Sequence, residues 1–585
     1  MLQTDFSKEI MLSRYAYPGE TTWGEIVERV ASHVSKVELN GEVIKWKDEF
    51  YNIIQPGDFI PGGRILYGSG RRNGSLLNCF VLGVDDNRHS IAKLSYDMYL
   101  ISVSGGGLGV SYSKIRPKGD PIQNIDGAAP GVISEIKKID AIGEQVRSGG
   151  GRRTALLALL SIEHPDVLEF INVKTNLNEL NNHNISIAVT KKFVGAVKKN
   201  KPWKFYFGNK EYKLWEFKRT NPDGRRKEEN IIVPGVTREK AEITANTFYK
   251  QHFDDTFEFI NEKELMAKDL WHSIISNNLK SGEPGFIFID NIEENFNANY
   301  FESFVSTNPC GEITLPQYGS CCLGSINVAN FYNEKKNDVD WSRLAKTIHV
   351  AVRFLDNVLT VNHYPIPETN DSATKSRRIG LGIMGLHYLL IKLGMKYGKK
   401  KSLEFIERFF ATIRNESYDA SIELAKEKGP FSEFDRDEFL RQPFVKRLPT
   451  RLIRKIKKYG IRGASLNTIP PTGCLIPSTT IQTDSGTLSL EQIFSRNNIS
   501  LQDYEKSYNK WFIPFDDIKV ETTAGLKGIT KLYINGIAKT KKIILDSGDE
   551  IEGTDNHKVL VLDDGKVTWR RLDKLKKNDK ILTKK

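Results

Sequence analysis

The residues best suited to chemistry lie in 306-STNPCGEITLPQYGSCCLGSINVANF-331. Asn308, Cys310 and Glu312 stand at i, i+2 and i+4. In an extended loop that period puts an amide, a thiol and a carboxylate on one side, facing one ligand. The competing reading of Asn-x-Cys-x-Glu is coincidence on a turn. The sequence holds five cysteines: Cys79, Cys310, Cys321, Cys322 and Cys474. A reducing compartment keeps them as thiols, and scattered cysteines in a large chain are usually buried small hydrophobes. No CxxC…CxxC or Cys/His ligand pattern occurs, so no metal site is expected.

Two glycine-rich stretches could also bind something: GGGLGVSYSKIRPKGDPI (105–122) and RSGGGRRTALLALL (147–160). Consecutive glycines let backbone N–H groups approach phosphates or bases. Neither stretch is a phosphate-binding G-x-x-x-x-G-K-[ST] loop. On composition alone a flexible structural loop competes with a nucleotide site, and Arg152 and Arg153 are as readily a solvated pair as a phosphate clamp. A third stretch, 470-PPTGCLIPSTTI-481, reads as a tight turn that ends in the thiol of something else.

The elements that must position these residues are those of a large multidomain chain. It has 585 residues, 39% of them hydrophobic, which is enough for several cores. The net charge of +12 is spread among interleaved acids and bases, so a solvated basic surface is expected rather than a DNA-binding one. No apolar run of membrane-spanning length and no signal peptide is seen, and the expected compartment is the cytoplasm. GETTWGEIVERVASHVSKV predicts a helix capped by Thr21 or Thr22, with Ile26, Val27, Val30 and Val34 inward. From about 92 to 473, helical stretches alternate with short β runs (DVLEFINV, NISIAV, PGFIFID, GEITLP, SINVANF), which argues an α/β barrel or large open sheet. The stretch 198–265 fits no clear pattern. After Cys474 the runs become short, alternating and turn-separated, an all-β signature with one late helix-like stretch, RRLDKLKKND. A domain boundary therefore falls between Gly473 and Cys474, without a linker.

N-P-C-G-E, followed by S-C-x-L-G-S-I-N, resembles the catalytic subunit of ribonucleotide reductases. The resemblance extends in order through PGGRILYGSG, NCFV, GGGLGVSYSKIRPKG, EHPDVLEFI, NHNISIAVT, SGEPGFIFID, RRIGLGIMGLHYLL and GIRGASLNTIPPTG, over about residues 10 to 473. It implies a helical N-terminal segment (1–60) and the N-terminal part of a ten-stranded α/β barrel (61–473), whose finger loop carries Cys310. A thiyl radical on Cys310 would take the ribose 3′ hydrogen, Glu312 would accept the 3′-hydroxyl proton, and Asn308 would hold the hydroxyls. Cys79 and Cys321 would supply two electrons and close as a disulfide. Cys322 is read as structural. Substrate contacts would come from Asn78 and from Pro471, Thr472 and Gly473. An allosteric deoxynucleoside triphosphate would meet Asp86, Arg116, Gly149, Arg152 and Arg153. YPGETTWGEIVERVA, PGGRIL and SCCLGSINVANF look most like the adenosylcobalamin-dependent class; the alternative is a radical from a separate metal-containing subunit. A thioredoxin- or glutaredoxin-type reductant would recycle the pair.

At Gly473 the sequence leaves that pattern and resembles an intein of the Hint type. C-L-x-x-x-T-x-I (474–481), G-T-D-N-H-K-V-L-V (553–561) and the closing VTWRRLDKLKKNDKIL match three splicing blocks in order. This implies that the Cys474 thiol attacks the Gly473 carbonyl. His557 would protonate the leaving nitrogen, Thr554 would position the scissile amide, and Asp555 is a solvated-turn residue. The expectation is the N-terminal half of a split intein (474–585), spliced in trans to a chain carrying the other half and the rest of the barrel, in a bacterium or phage-infected cell. The alternative is a half that assembles unspliced.

Overall fold

The computed structural model describes residues 5–39, 41–122, 127–148, 152–176, 179–220, 228–251 and 255–470, and short backbone strands between 480 and 581. The N-terminal helices are Asp5–Arg14, Trp23–Ser35 and Val43–Ile54. Thr22 caps the second in a capping box: its hydroxyl accepts the Glu25 N–H, and Glu25 accepts the Thr22 N–H at 2.9 Å. Ile26, Val27, Val30 and Val34 are fully buried, as their spacing requires.

Eight strands build the main sheet: β1 (Phe59–Pro61), β2 (Cys79–Gly83), β3 (Gly107–Ser111), β4 (Leu156–Ser161), β5 (His183–Val189), β6 (Gly285–Phe288), β7 (Ser320–Asn327) and β8 (Ile379–Met384). From β2 to β6 every neighbouring pair is parallel. At β7 the direction reverses: β7 is antiparallel to β2 and to β1, and parallel to β8. Helices alternate with the parallel strands, so the strands are covered and read as apolar runs, LLALLS in β4 among them. The result is a curled α/β half-barrel behind a helical N-terminal region. Ser465, Leu466 and Thr468 hydrogen-bond along β8 and continue this second half.

One expected strand is a helix. DVLEFINV forms Val167–Asn172, because Val167, Phe170 and Ile171 recur at i, i+3 and i+4 and are buried on one side. The stretch that fitted no pattern forms a four-stranded antiparallel sheet (Phe205–Phe207, Lys210–Thr220, Glu229–Gly235, Thr256–Lys263) with the helix Arg238–Phe248. Among the described residues no helix is long and apolar enough to cross a membrane.

Contacts divide the chain into two units, one built on Glu9–Gly473 and the other on Cys474–Lys585, to which Leu2–Lys8 is also assigned. Within Cys474–Lys585 every described element is a β-strand, paired antiparallel in hairpins such as Thr540–Ile544 with Glu550–Thr554 and Lys558–Asp563 with Lys566–Arg571. The helix-like stretch RRLDKLKKND falls largely outside the described residues.

Candidate functional site

A hairpin between β6 and β7 carries the candidate residues. Ser306–Thr307 pairs with Thr314–Leu315, and Asn308–Ile313 forms the tip. The tip is not the extended loop that the i, i+2, i+4 spacing suggested. Gly311 N–H donates to the Asn308 carbonyl at 3.0 Å, closing a turn, with Gly311 at φ +78. Turning the backbone brings Asn308 and Glu312 face to face, with Asn308 Nδ2 2.6 Å from Glu312 Oε2, and leaves Cys310 exposed at the apex.

The hairpin reaches the strands because glycines let it. β3 and β8 each contain Gly-Leu-Gly, and a two-residue spacing puts both glycines on one face and the leucine on the other. Leu108 and Leu381 are fully buried. A Cβ on Gly109 would fall 1.7 Å from the Thr307 carbonyl oxygen, and one on Gly107 would lie 3.1 Å from Pro309. Asn184 on β5 donates to the Pro309 carbonyl at 2.8 Å. In β8, a Cβ on Gly380 would lie 3.0 Å from Cys321 Sγ, and one on Gly382 would fall 2.2 Å from Pro470. Thr468 Oγ1 donates to the Glu312 carbonyl at 2.5 Å, so the segment entering the 470–473 turn is tied to the hairpin. Thr468, Asn184 and the Gly380/Gly382 pair were not singled out from sequence; glycines two apart within an apolar run were the available signal.

Cys79 opens β2, and Cys321 sits directly opposite it on β7. Asn308 Nδ2 donates to Cys79 Sγ at 3.2 Å, and the Cys79 thiol points to Glu312 Oε1 at 3.7 Å. Both thiols are buried, and burial, reinforced by nearby Glu312, pushes their pKa values well up; Cys310 adds to the shift at Cys79. They are therefore held protonated, as S–H groups. Cys322 faces the other way, its thiol on the Leu355 carbonyl at 3.4 Å. Asn78, next to Cys79, has a side-chain oxygen with no hydrogen-bond partner among the described residues.

The other candidates are scattered. Asp86 and Arg116 are paired at 2.8 Å. Arg152 and Arg153 form a two-residue strand against Arg147–Ser148. Gly149, Pro471, Thr472, Gly473, Cys474, Asp555 and His557 lie outside the described residues, and Thr554 is seen only as the end of a backbone strand. Thus one cluster gathers Asn308, Cys310, Glu312, Cys79 and Cys321, while Asp86 and Arg116 form a separate pair.

Residues 77–533 match the family described as "Ribonucleotide reductase, barrel domain", and residues 1–74 match "Ribonucleotide reductase, all-alpha domain". A vitamin B12-dependent ribonucleoside-diphosphate reductase of Mycobacterium tuberculosis is 32% identical over 72% of this chain and 54% of its own length. One of Thermoplasma acidophilum is 31% identical over 73% of the chain and 48% of its length. A ribonucleoside-diphosphate reductase subunit alpha of Chlamydia trachomatis is 28% identical over 66% and 36%. The chain spans about half the length of the vitamin B12-dependent relatives it matches.

Proposed function

Because the chain belongs to the ribonucleotide reductase large-subunit family, we propose that it supplies the radical finger and the reducing pair of an enzyme converting ribonucleotides to deoxyribonucleotides. The observation that carries this is the cross-strand pair Cys79/Cys321, with Asn308 and Glu312 of the hairpin against Cys79. A thiyl on Cys310 takes the 3′ hydrogen atom. Glu312 takes the 3′-hydroxyl proton, and Asn308, held by Glu312, orients the hydroxyls. The 2′-hydroxyl leaves as water. Cys79 and Cys321 give up two electrons and two protons and join through sulfur, and the 3′ hydrogen returns from Cys310. Residues directly opposite on antiparallel strands have Cα atoms about 4.5–5.5 Å apart, within the roughly 4.4–6.8 Å that a disulfide spans. An external dithiol then reopens the pair.

For the radical source we favour adenosylcobalamin, in line with the names of the relatives from Mycobacterium and Thermoplasma. When bound it supplies the radical equivalent that forms the thiyl. The hairpin apex is accessible to a large group: Cys310 is exposed, and among the described residues no atom lies within 4 Å of a Cβ position on Gly311. Those names also favour ribonucleoside diphosphates as substrates. Asn78 Oδ1 and the 470–473 turn are the proposed substrate contacts. Asp86 and Arg116, with Gly149, Arg152 and Arg153, are the proposed effector contacts. The test is a single turnover without external reductant: peptide mapping finds Cys79 joined to Cys321 if the reading is right, and both still reduced after product forms if it is wrong.

We further propose that Cys474–Lys585 is an intein half that splices this chain to a companion carrying the rest of the barrel. Its three sequence blocks, the β-strands that make up its described elements and the division of contacts after Gly473 support this. The family match running on to residue 533 favours a second reading, in which the reductase chain continues through this region unspliced. Mixing with the companion separates them on a denaturing gel. Splicing yields a ligated product and a released Cys474–Lys585 piece, Cys474→Ala abolishes both, and noncovalent assembly yields neither.

A further inference from the structure

We propose that the sheet strand Lys210–Thr220 and the helix Arg238–Phe248 with Tyr249 brace the loop arms 115–122 and 127–132, and that through Arg116 they set how tightly the Asp86 region holds a nucleotide effector; the second half of this rests on the effector reading above.

Three contacts join the brace to the loop. The Tyr212 hydroxyl donates to the Asp120 carboxylate at 2.7 Å. Thr244, on the helix Arg238–Phe248, fills the space where Gly119 has no side chain: a Cβ there would fall 1.9 Å from Thr244 Oγ1, and Gly119 sits at φ +87. The Lys118 ammonium lies 5.0 Å over the Tyr249 ring. Gly119, in a stretch whose composition suits either a structural loop or a nucleotide site, is thus required by its backbone angle and by Thr244 on the helix Arg238–Phe248.

The far side of the loop is fixed to the barrel. Asp166 accepts the Lys118 N–H at 3.0 Å and the Val132 N–H at 2.9 Å, clasping both arms at their base. The Asp166 N–H donates to His164 Nδ1, which leaves the proton on Nε2, and Nε2–H donates to the Ile115 carbonyl at 2.8 Å. Burial lowers the His164 pKa, so the ring is neutral and this tautomer is kept. The arms are laced together by Gly119 N–H to the Ala129 carbonyl at 2.9 Å and Ala129 N–H to the Asp120 carbonyl at 2.7 Å. Arg116 then links loop to site, donating to the Pro121 carbonyl at 2.7 Å and to Asp86 at 2.8 Å. Moving Asp120 therefore moves Pro121, and with it the guanidinium that holds Asp86, three residues beyond the strand that begins with Cys79. This is a continuous chain of bonded groups rather than proximity alone.

The test compares the full chain with its Tyr212→Phe variant, by hydrogen exchange at the Gly119 and Ala129 amides and by equilibrium binding of dTTP and dGTP. Tyr212→Phe is expected to speed exchange at both amides about tenfold, the scale of one hydrogen bond to a charged group, and to weaken nucleotide binding by a similar factor. Glu262→Gln breaks the exposed Lys213–Glu262 pair (3.0 Å) in the same sheet and is expected to change neither. Unchanged loop exchange in Tyr212→Phe, or equal acceleration in Glu262→Gln, overturns the brace. Faster exchange with unchanged nucleotide affinity overturns its control of the site. If the parent binds neither nucleotide while Tyr212→Phe still loosens the loop, the brace stands and the effector reading is the one that falls.

Discussion

Cys79 and Cys321 are held protonated by burial, yet each is one residue of a cross-strand pair in disulfide range. Raised pKa values make them poor thiolate nucleophiles, which keeps them from idle exchange, while leaving them good hydrogen donors once a radical is present. Cys79→Ser and Cys321→Ser should therefore each abolish multiple turnover in the assembled enzyme while leaving nucleotide binding unchanged. Cys322→Ser should keep turnover, since that thiol faces the Leu355 carbonyl instead. Steady-state assays with a dithiol reductant check all three. Sequence spacing singled out Asn308, Cys310 and Glu312 as an extended row, whereas the structure places them around a turn. A period-two argument holds only for extended backbone, and Gly311 turns the chain inside the motif.

At the scale of elements, glycine spacing explains how a hairpin can stand inside a half-barrel. Gly109→Ala drives a methyl into the Thr307 carbonyl and should cost at least about 3 kcal/mol. Gly195→Ala, in the helix Lys191–Lys198 where a Cβ meets nothing within 4 Å, should stabilise by roughly 0.5–1 kcal/mol. Denaturant midpoints of the two variants should move in opposite directions. Elements with strong local signals were legible: the capped helix after Thr22, and the apolar strand β5. DVLEFINV was misread because a short apolar run fits either period, and only packing against neighbours decides. Composition leaves the glycines of 105–111 open between a structural loop and a nucleotide site, because the sequence does not show the hairpin that crosses Gly107 and Gly109.

For the barrel unit as a whole, one buried network joins the N-terminal helices to the helices behind the barrel. Glu38 is bound by Arg353 at 2.6 Å, by Asn357 at 2.7 Å and by Lys428 at 3.1 Å. Burial opposes its ionisation, but Arg353, Asn357 and Lys428 outweigh that and hold the carboxyl at about 2, below its ordinary 4.5. A lowered folded-state pKa means stability that is present above about pH 4.5 and lost as pH falls toward 2. By linkage it is worth up to about 3 kcal/mol. Glu38→Gln should lower the neutral-pH stability and flatten its pH dependence in that window, as read by denaturation at pH 7, 4 and 3. The half-barrel was legible because its motifs follow in order, whereas the brace sheet was not, because its apolar period is a single step on each strand (Trp215/Phe217, Ile231/Val233, Phe257/Phe259) within charged runs.

The central claim is that Cys310, at the hairpin apex, works with the pair behind it. The most direct measurement combines the assembled enzyme, adenosylcobalamin and a ribonucleoside diphosphate without any external reductant, then quantifies product and maps disulfides. The account predicts one deoxyribonucleotide for each Cys79–Cys321 disulfide formed, and neither in Cys310→Ser. Product without that disulfide, or undiminished product in Cys310→Ser, would contradict it.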